Sequence, residues 1–270
     1  PLVSYIDDLT DARARKVTIG QVLSHSGGFP NWRFEPGQPL ESAFEPGTRW
    51  QYSGEGYVYL QRILEKVSGK AFGELIGELV FQPLGMSNTT ILPLAANQPR
   101  LALPHNRRGE VVSRRNLTSQ AFVDFARSRN RRVESLTYEE AMLCVKESGA
   151  RAIADSVLPN AAASMVTCAT DYARFVAAAM RNPALTEQQV RIRQGNDFDL
   201  GWGLGWGTER VGTREFLWQW GDNGGYKNIV FAEPVRGEAI FVFTNGDNGA
   251  RVYERVLSQV AGFDHPALFV

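Results

Sequence analysis

Tyr52 carries a phenol, a group that can take up or release a proton in catalysis. It lies in Phe44-Glu-Pro-Gly-Thr-Arg-Trp-Gln-Tyr-Ser-Gly54, just before a predicted helix. A phenol has an ordinary pKa near 10, so it acts as a base only beside a positive charge or when it shares a proton with a lysine. A lone tyrosine is more often a half-buried packing residue. The residue type alone leaves both interpretations of Tyr52, packing and proton transfer, open.

A serine nucleophile with an adjacent lysine is not found in the sequence. A neutral hydroxyl is a weak nucleophile and needs a neighbouring base. No serine is followed by lysine three residues later. Ser24, His25 and Ser26 are adjacent, but neighbouring side chains on a helix do not face each other. We therefore expect His25 and Ser26 to satisfy backbone groups at a helix end.

Other chemistries lack their sequence signals. The chain has no Gly-x-Ser-x-Gly, no His-Glu-x-x-His, no phosphate-binding loop and no dinucleotide fingerprint. Its three histidines, His25, His105 and His265, are scattered. We therefore expect no metal site and no organic cofactor. Cys144 and Cys168 are expected to be small buried hydrophobic residues.

The composition is that of a globular protein whose net charge produces no strong electrostatic field. Of 270 residues, 43% are hydrophobic and 21% charged, and 29 basic residues balance 29 acidic ones. This excludes a disordered or coiled-coil chain and favours neither nucleic acid nor a membrane surface as partner. No apolar run approaches the roughly 18 residues of a membrane span. Residues 100–132 carry nine arginines and two acidic residues. A solvated, loop-rich insertion is favoured over a polyanion-binding patch, because nucleic-acid motifs and interleaved aromatics are missing.

Helical patterns dominate residues 1–200. Thr18-Ile-Gly-Gln21 is a capping box that opens a helix, and Gly69 ends another helix that follows Ser53. The predicted helices cover residues 19–25, the stretch between Ser53 and Gly69, residues 72–80 and residues 171–180. Thr186 to Gln189 matches a second capping box.

Strand patterns appear after residue 200. The predicted strands are Glu215–Trp220, Tyr226–Ala232 and Glu238–Thr244, and a last helix is predicted over about Ala250–Ala261. Turn-like joins predict an antiparallel meander. The fold class is α+β, an antiparallel sheet flanked by helices together with a mainly helical region. We expect one domain over 1–270, helical and loop-rich over 1–200 and formed by strands and the C-terminal helix over 201–270.

Four stretches in order carry a family resemblance. They are Thr18-Ile-Gly-Gln-Val-Leu-Ser-His-Ser-Gly-Gly28, Phe44 to Gly54 as given above, Val80-Phe-Gln-Pro-Leu-Gly-Met-Ser-Asn-Thr89 and Trp218-Gln-Trp-Gly-Asp-Asn-Gly-Gly-Tyr226. Together they resemble the serine β-lactamase and penicillin-binding-protein superfamily, closest to its class C branch, which also holds D-Ala-D-Ala carboxypeptidases, aminopeptidases and esterases. That family transfers acyl groups covalently through a serine in Ser-x-x-Lys, a tyrosine in Tyr-x-Asn and a third motif on a sheet strand.

The resemblance implies roles for six residues. Tyr52 matches the proton-transfer tyrosine, while Gly54 stands where the family has asparagine, so the amide that would bind substrate or lysine is absent. The third motif, Lys/His-Thr/Ser-Gly, matches Trp220, Gly221 and Asp222, and the backbone N–H of Asn223 is expected to bind the oxyanion. Trp220 supplies no cation for a substrate carboxylate. This argues against efficient β-lactam hydrolysis and favours an ester or another uncharged acyl substrate.

The tryptophans allow two interpretations. Trp202 and Trp206 either line a substrate cleft or pack in the core, which is the more common place for strand tryptophans. Trp220 forms either a pocket wall or sheet packing, and Asp222 either contacts substrate or braces the turn.

We expect the nucleophile to lie in a missing first quarter of a larger protein. The first methionine is Met86, only three strands are predicted and Ser-x-x-Lys is absent. The expected partner is a small-molecule or peptide acyl substrate, and the resemblance implies a periplasmic or secreted protein. The oligomeric state has no sequence signal.

Two other functions compete with a serine hydrolase. The departures at Gly54 and Trp220 are typical of a non-catalytic relative whose cleft binds peptide or cell-wall fragments. A weaker alternative is an interaction protein that uses the arginines of 100–132.

Overall fold

The computed structural model describes residues 1–93, 100–113 and 120–270. In these ranges the helices are α1 (Ile19–Leu23), α2 (Gly54–Ser68), α3 (Phe72–Ile76), α4 (Gln120–Ser128), α5 (Tyr138–Glu147), α6 (Ala169–Met180) and α7 (Gly249–Ala261). The strands are β1 (Val190–Gln194), β2 (Phe198–Trp202), β3 (Gly207–Val211), β4 (Arg214–Asp222), β5 (Lys227–Glu233) and β6 (Glu238–Thr244). The α+β prediction is confirmed.

The chain divides into two compact units. The first consists of Pro1–Pro99 and Asn116–Arg174, and the second of Arg100–Arg115 and Phe175–Val270. The first unit is helical, and the second holds the sheet and α7.

Helix α2 starts and ends as its sequence predicts. The Ser53 side chain accepts a hydrogen bond from the backbone N–H of Gly56 at 2.9 Å and so caps the first turn. Gly69 ends the helix with a left-handed φ of 69°, which glycine adopts without strain. Val58 and Ile63 of this helix are buried in the two apolar cores of the unit. The helix therefore has a fixed N-terminus next to Tyr52.

Glu65 joins three helices of the first unit. Its carboxylate accepts hydrogen bonds from the backbone N–H groups of Phe72, at 3.0 Å, and Tyr138, at 2.8 Å. These are the first residues of α3 and α5, whose N–H groups have no partner inside their own helices. A carboxylate also complements the positive end of each helix. Burial raises the pKa of Glu65.

Six antiparallel strands form one sheet in the order β1-β2-β3-β4-β5-β6. The predicted meander corresponds to β4–β6, and Leu217 faces Ala232 while Ile229 faces Val242 in its register. The prediction of only three strands was wrong, so the small sheet no longer supports a missing segment. Helix α7 lies on β5 and β6. Trp202 and Trp218 pack edge to face in the core of this unit at 5.0 Å.

The start of the C-terminal segment is held against the sheet by a buried polar pair. Nδ1 of His265 lies 3.3 Å from each carboxylate oxygen of Glu209 on β3. The imidazole also stacks on Phe231 at 3.9 Å. Among the described helices, none is both long and apolar enough to cross a membrane.

Candidate functional site

Tyr52 lies in the first unit, two residues before α2. Its ring packs on the imidazole of His25, with the ring centroids 4.4 Å apart and the planes tilted by 37°. The side chain is half-buried, and this burial raises the pKa of Tyr52. The phenol is therefore protonated at neutral pH and is available as a proton donor.

His25 is buried beside Tyr52 in an unusual backbone conformation. Its φ is 52°, in the left-handed region that few residues other than glycine adopt. Its Nδ1 accepts a hydrogen bond from the backbone N–H of Ser53 at 3.1 Å. Burial lowers the pKa of His25 to about 3, so the ring is neutral and carries its proton on Nε2. His25 thus does satisfy a backbone group, but that of Ser53 before α2 and not, as expected, one at the end of α1.

Ser24 and Ser26 face each other. Their hydroxyl oxygens lie 2.9 Å apart in a buried position, and both are near the carbonyl oxygen of Gln21 at the end of α1. These contacts fit the expected structural role.

Trp32 fills the space beside Gly54. A Cβ at position 54 would lie 2.5 Å from Cζ2 of the indole, far inside contact distance. Trp32 itself packs against the larger apolar core of the unit. A glycine at position 54 is therefore required by a bulky neighbour, and the indole occupies the space into which a side chain at this position would extend.

The loop that carries Trp32 is fixed to the start of α2. Asn31 accepts hydrogen bonds from Gly54 N–H through Oδ1 and from Glu55 N–H through its carbonyl oxygen, both at 2.9 Å. The guanidinium Nε of Arg33 donates to Glu55 at 2.6 Å, and only 1% of the Glu55 side chain is exposed. The segment around Tyr52 is thus held from both sides.

The third-motif residues lie in the second unit, at the end of β4. Trp220 and Gly221 are half-buried, and Asp222 is exposed and forms an ion pair with Lys227, its partner across the β4–β5 hairpin. The Asn223 N–H donates to the carbonyl oxygen of Tyr226 at 3.2 Å within the turn. The role of Asn223 as an oxyanion donor stays a prediction. For this role, the Asn223 N–H must bind the oxyanion in addition to, or in place of, the Tyr226 carbonyl oxygen.

The β4–β5 hairpin turn forms hydrogen bonds with the segment 100–113 and with Asp247. Tyr226 donates its hydroxyl hydrogen to the carbonyl oxygen of Ala102 at 2.7 Å, and Gly225 N–H donates to Asp247 at 2.8 Å. Gly225 has a φ of 81°, and a Cβ there would lie 2.5 Å from Cβ of Pro104. By contrast, a Cβ at Gly221 would meet no described atom within 4 Å. Space is therefore open next to β4 at this point.

Trp202, Trp206 and Cys144 are buried, whereas the prediction of a buried Cys168 was wrong. Trp202 and Trp206 are buried, at 0% and 5% exposure, so they belong to the core. Cys144 is buried, as expected, whereas Cys168 is only half-buried. Part of the arginine-rich stretch, 114–119, lies outside the described residues. In its described part, Arg127, Arg129 and Arg131 form ion pairs with acidic residues.

The first unit supplies the phenol of Tyr52, and the second supplies the strand end Trp220–Asp222 and the N–H of Asn223. No three His, Cys, Asp or Glu side chains in the described ranges are placed to hold a metal ion. A sequence profile of the family described as Beta-lactamase matches residues 1–261. The chain belongs to the beta-lactamase family.

Relatives of this beta-lactamase-family chain include hydrolases. Penicillin-binding protein 4* of Bacillus subtilis is 33% identical over 95 residues, which cover 28% of this chain and 21% of that protein. Lovastatin esterase of Penicillium rubens is 28% identical over 127 residues, which cover 38% of this chain and 32% of the esterase. The matched segments thus span a third or less of these relatives.

A solved structure shares the beta-lactamase-family fold. The octameric penicillin-binding protein homologue from Pyrococcus abyssi superposes with a TM-score of 0.68 at 15% identity, over 98% of this chain and 60% of that chain. The α+β fold is therefore that of β-lactamases and penicillin-binding proteins.

Two features of the site had no direct signal in the sequence. His25 was expected to bind backbone at a helix end, but its stacking on Tyr52 depends on a loop closure across 27 positions. The contact of Trp32 with position 54 was not predicted. The only signal for it in the sequence is the glycine itself, which leaves space for a large neighbouring side chain.

Proposed function

We propose that this chain is part of a serine hydrolase of the class C β-lactamase-like type that acts on an ester or another uncharged acyl substrate. Tyr52 transfers the proton, and the backbone N–H of Asn223 binds the oxyanion. Trp220, Gly221 and Asp222 form the strand side of the cleft. The nucleophile belongs to a Ser-x-x-Lys segment that is not among these 270 residues.

One observation carries the proposal. Tyr52 sits on a buried, neutral imidazole at the capped start of α2, in a chain whose residues 1–261 match the family. A half-buried phenol held in one orientation is what proton transfer at a fixed distance requires.

The reaction proceeds in two acyl-transfer steps. The serine oxygen bonds to the substrate carbonyl carbon, and its proton passes to the lysine–tyrosine pair. The carbonyl oxygen becomes an oxyanion that backbone N–H groups stabilise. The carbon–oxygen bond to the alcohol then breaks, and the leaving oxygen takes the proton from Tyr52. Water repeats the sequence on the acyl-enzyme and releases the acid.

Two departures from the motifs of the resembling family support an uncharged substrate. Trp32 replaces the amide at position 54 with an indole, and Trp220 replaces the cation of the third motif. A carboxylate would lose hydration beside such groups without gaining a charged partner. Similarity to a lovastatin esterase supports an ester substrate.

The test is ester hydrolysis by the protein expressed from its complete reading frame. We expect turnover of p-nitrophenyl butyrate and labelling by a fluorophosphonate. Tyr52→Phe should lower kcat by about 10²–10⁴-fold, while Tyr57→Phe, the matched control, should not. A folded protein that neither hydrolyses esters nor reacts with the fluorophosphonate would contradict the proposal.

A non-catalytic binding protein is the second candidate. The Trp32–Gly54 packing favours it, because it removes the position from which the family's amide acts. This candidate predicts that calorimetry detects binding of a cell-wall peptide without any turnover. Ester hydrolysis that is lost in Tyr52→Phe would exclude it.

A further inference from the structure

His25 holds the chain on both sides of Tyr52. The N–H of Gln51, the preceding residue, donates to the His25 carbonyl oxygen at 2.7 Å. The N–H of Ser53, the following residue, donates to the His25 Nδ1 at 3.1 Å. One residue therefore supplies both acceptors that fix the backbone around the phenol.

The same side chain also contacts the phenol ring. The imidazole and the Tyr52 ring are 4.4 Å apart, and the imidazole is 3% exposed. The rings of Tyr57, at 5.0 Å, and Trp50, at 6.4 Å, pack around it as well. Rotation of Tyr52 about its side-chain bonds is restricted by this packing.

The backbone of His25 is strained in the conformation that makes these contacts. A φ of 52° is disfavoured for a residue with a Cβ, because the Cβ comes too close to the backbone carbonyl oxygen. Such strain persists where the surrounding contacts impose it, and it concentrates at functional sites. Here it accompanies a geometry in which a carbonyl oxygen and a ring nitrogen both reach the segment 51–53.

We propose that His25 is the positioning residue for Tyr52, setting the orientation of the phenol through two backbone hydrogen bonds and one ring contact. The inference rests on the proton-transfer role proposed for Tyr52. It adds a residue that acts only through that tyrosine and touches no substrate.

The neutral form of His25 is essential to this role. Nδ1 can accept from Ser53 N–H only while it carries no proton. Burial lowers the pKa of His25 to about 3, so the acceptor persists at neutral and mildly acidic pH. The titratable side chains with rings packed against it are Tyr52 and Tyr57.

The experiment measures the phenol of Tyr52 directly in this chain. Ring-carbon NMR of isotopically labelled tyrosine, assigned with Tyr52→Phe, reports the chemical shift and the pKa of Tyr52. His25→Asn keeps an acceptor near the Nδ1 position and tolerates a positive φ, but it removes the ring. We expect its Tyr52 signal to move and the pKa of Tyr52 to fall toward its ordinary value, because water reaches the phenol and removes the effect of burial.

A purely structural role predicts another result. In that case His25→Asn lowers the melting temperature while the signal and the pKa of Tyr52 stay unchanged, which would overturn the proposal. Tyr5→Phe, at a tyrosine that is 38% exposed, is the matched control and should leave the Tyr52 titration in place.

A second measurement needs no variant to fold. In the unaltered chain, nuclear Overhauser contacts should join the His25 and Tyr52 rings, and nitrogen shifts should place the imidazole proton on Nε2. An imidazole protonated on Nδ1, or rings without such contacts, would also overturn the proposal. Both measurements are independent of turnover, so a protein without esterase activity would contradict the proposed function alone.

Discussion

The indole of Trp32 occupies the space into which any side chain at position 54 would extend. A Cβ on Gly54 would lie 2.5 Å from Cζ2 and 3.0 Å from two further indole carbons. The backbone N–H of Gly54 is bonded to Asn31 at 2.9 Å, so the glycine cannot move away without breaking the start of α2. The identities of residues 32 and 54 are therefore coupled.

Gly54→Asn should destabilise the chain, because the new side chain overlaps the indole. We expect a loss of about 1–3 kcal/mol in the free energy of unfolding, measured by urea denaturation. Trp32→Ala alone should also destabilise, because it leaves a cavity against the apolar core.

The double variant is the decisive control. In Trp32→Ala with Gly54→Asn, the asparagine enters the vacated space, so the combined loss should be smaller than the sum of the two single losses. Additive losses would show that the two positions do not share this space.

Most of the helices and three strands could be predicted from the sequence because their signals are local. The Thr18 capping box and the helix limits at Ser53 and Gly69 are each contained within a few residues. Strand β1 was missed because Thr186 to Gln189 matches a capping box, although Val190–Gln194 alternates apolar and polar residues. Strands β2 and β3, on either side of the Gly/Trp stretch 202–207, are stabilised by pairing across the sheet, which no local pattern reports.

The candidate site was predicted in part for the same reason. Tyr52 and Gly54 were found because the motif around them is contiguous. Their partners His25 and Trp32 reach them across loops, and only the folded chain places an imidazole or an indole there. The neutral state of His25 follows from burial, which sequence alone does not give.

Glu55→Gln should destabilise the first unit strongly. The side chain is 1% exposed and is paired with Arg33, whose own side chain is 18% exposed. Removing one charge leaves the other poorly compensated in a nearly buried position. We expect a loss of about 3 kcal/mol in the free energy of unfolding.

A matched exposed pair provides the control. Lys16 and Glu45 are in contact at 3.0 Å with 61% and 56% of their side chains exposed. Glu45→Gln should change the free energy of unfolding by less than about 1 kcal/mol. Equal losses in the two variants would argue against a special role for the Arg33–Glu55 pair.

The stability of the chain should depend on pH through His25. The unfolded histidine binds a proton near pH 6.5, whereas the folded one does so only near pH 3. Between these values the unfolded state binds more protons, so the free energy of unfolding falls as the pH falls, by up to about 1.4 kcal/mol per unit. The contribution is fully present above pH 6.5.

His25→Asn should remove this part of the pH dependence. Denaturant midpoints measured from pH 7 to pH 5 would fall less steeply in the variant than in the unaltered chain. His105→Asn, at a half-exposed histidine, serves as the control. Identical slopes for the unaltered chain and His25→Asn would mean that His25 titrates normally in the folded state.

Substitutions at two glycines near the β4–β5 hairpin should affect different properties: stability at Gly225 and ester turnover at Gly221. Gly225→Ala should cost about 1–3 kcal/mol, because the φ of 81° disfavours a side chain and the methyl group would meet Pro104. Gly221→Ala should change stability by less than about 1 kcal/mol, since no described atom lies within 4 Å of the new methyl group. If Gly221 lines the acyl cleft as the third motif implies, the same methyl group should lower kcat/KM for p-nitrophenyl butyrate. An unchanged kcat/KM in Gly221→Ala would indicate that the substrate does not bind next to this strand.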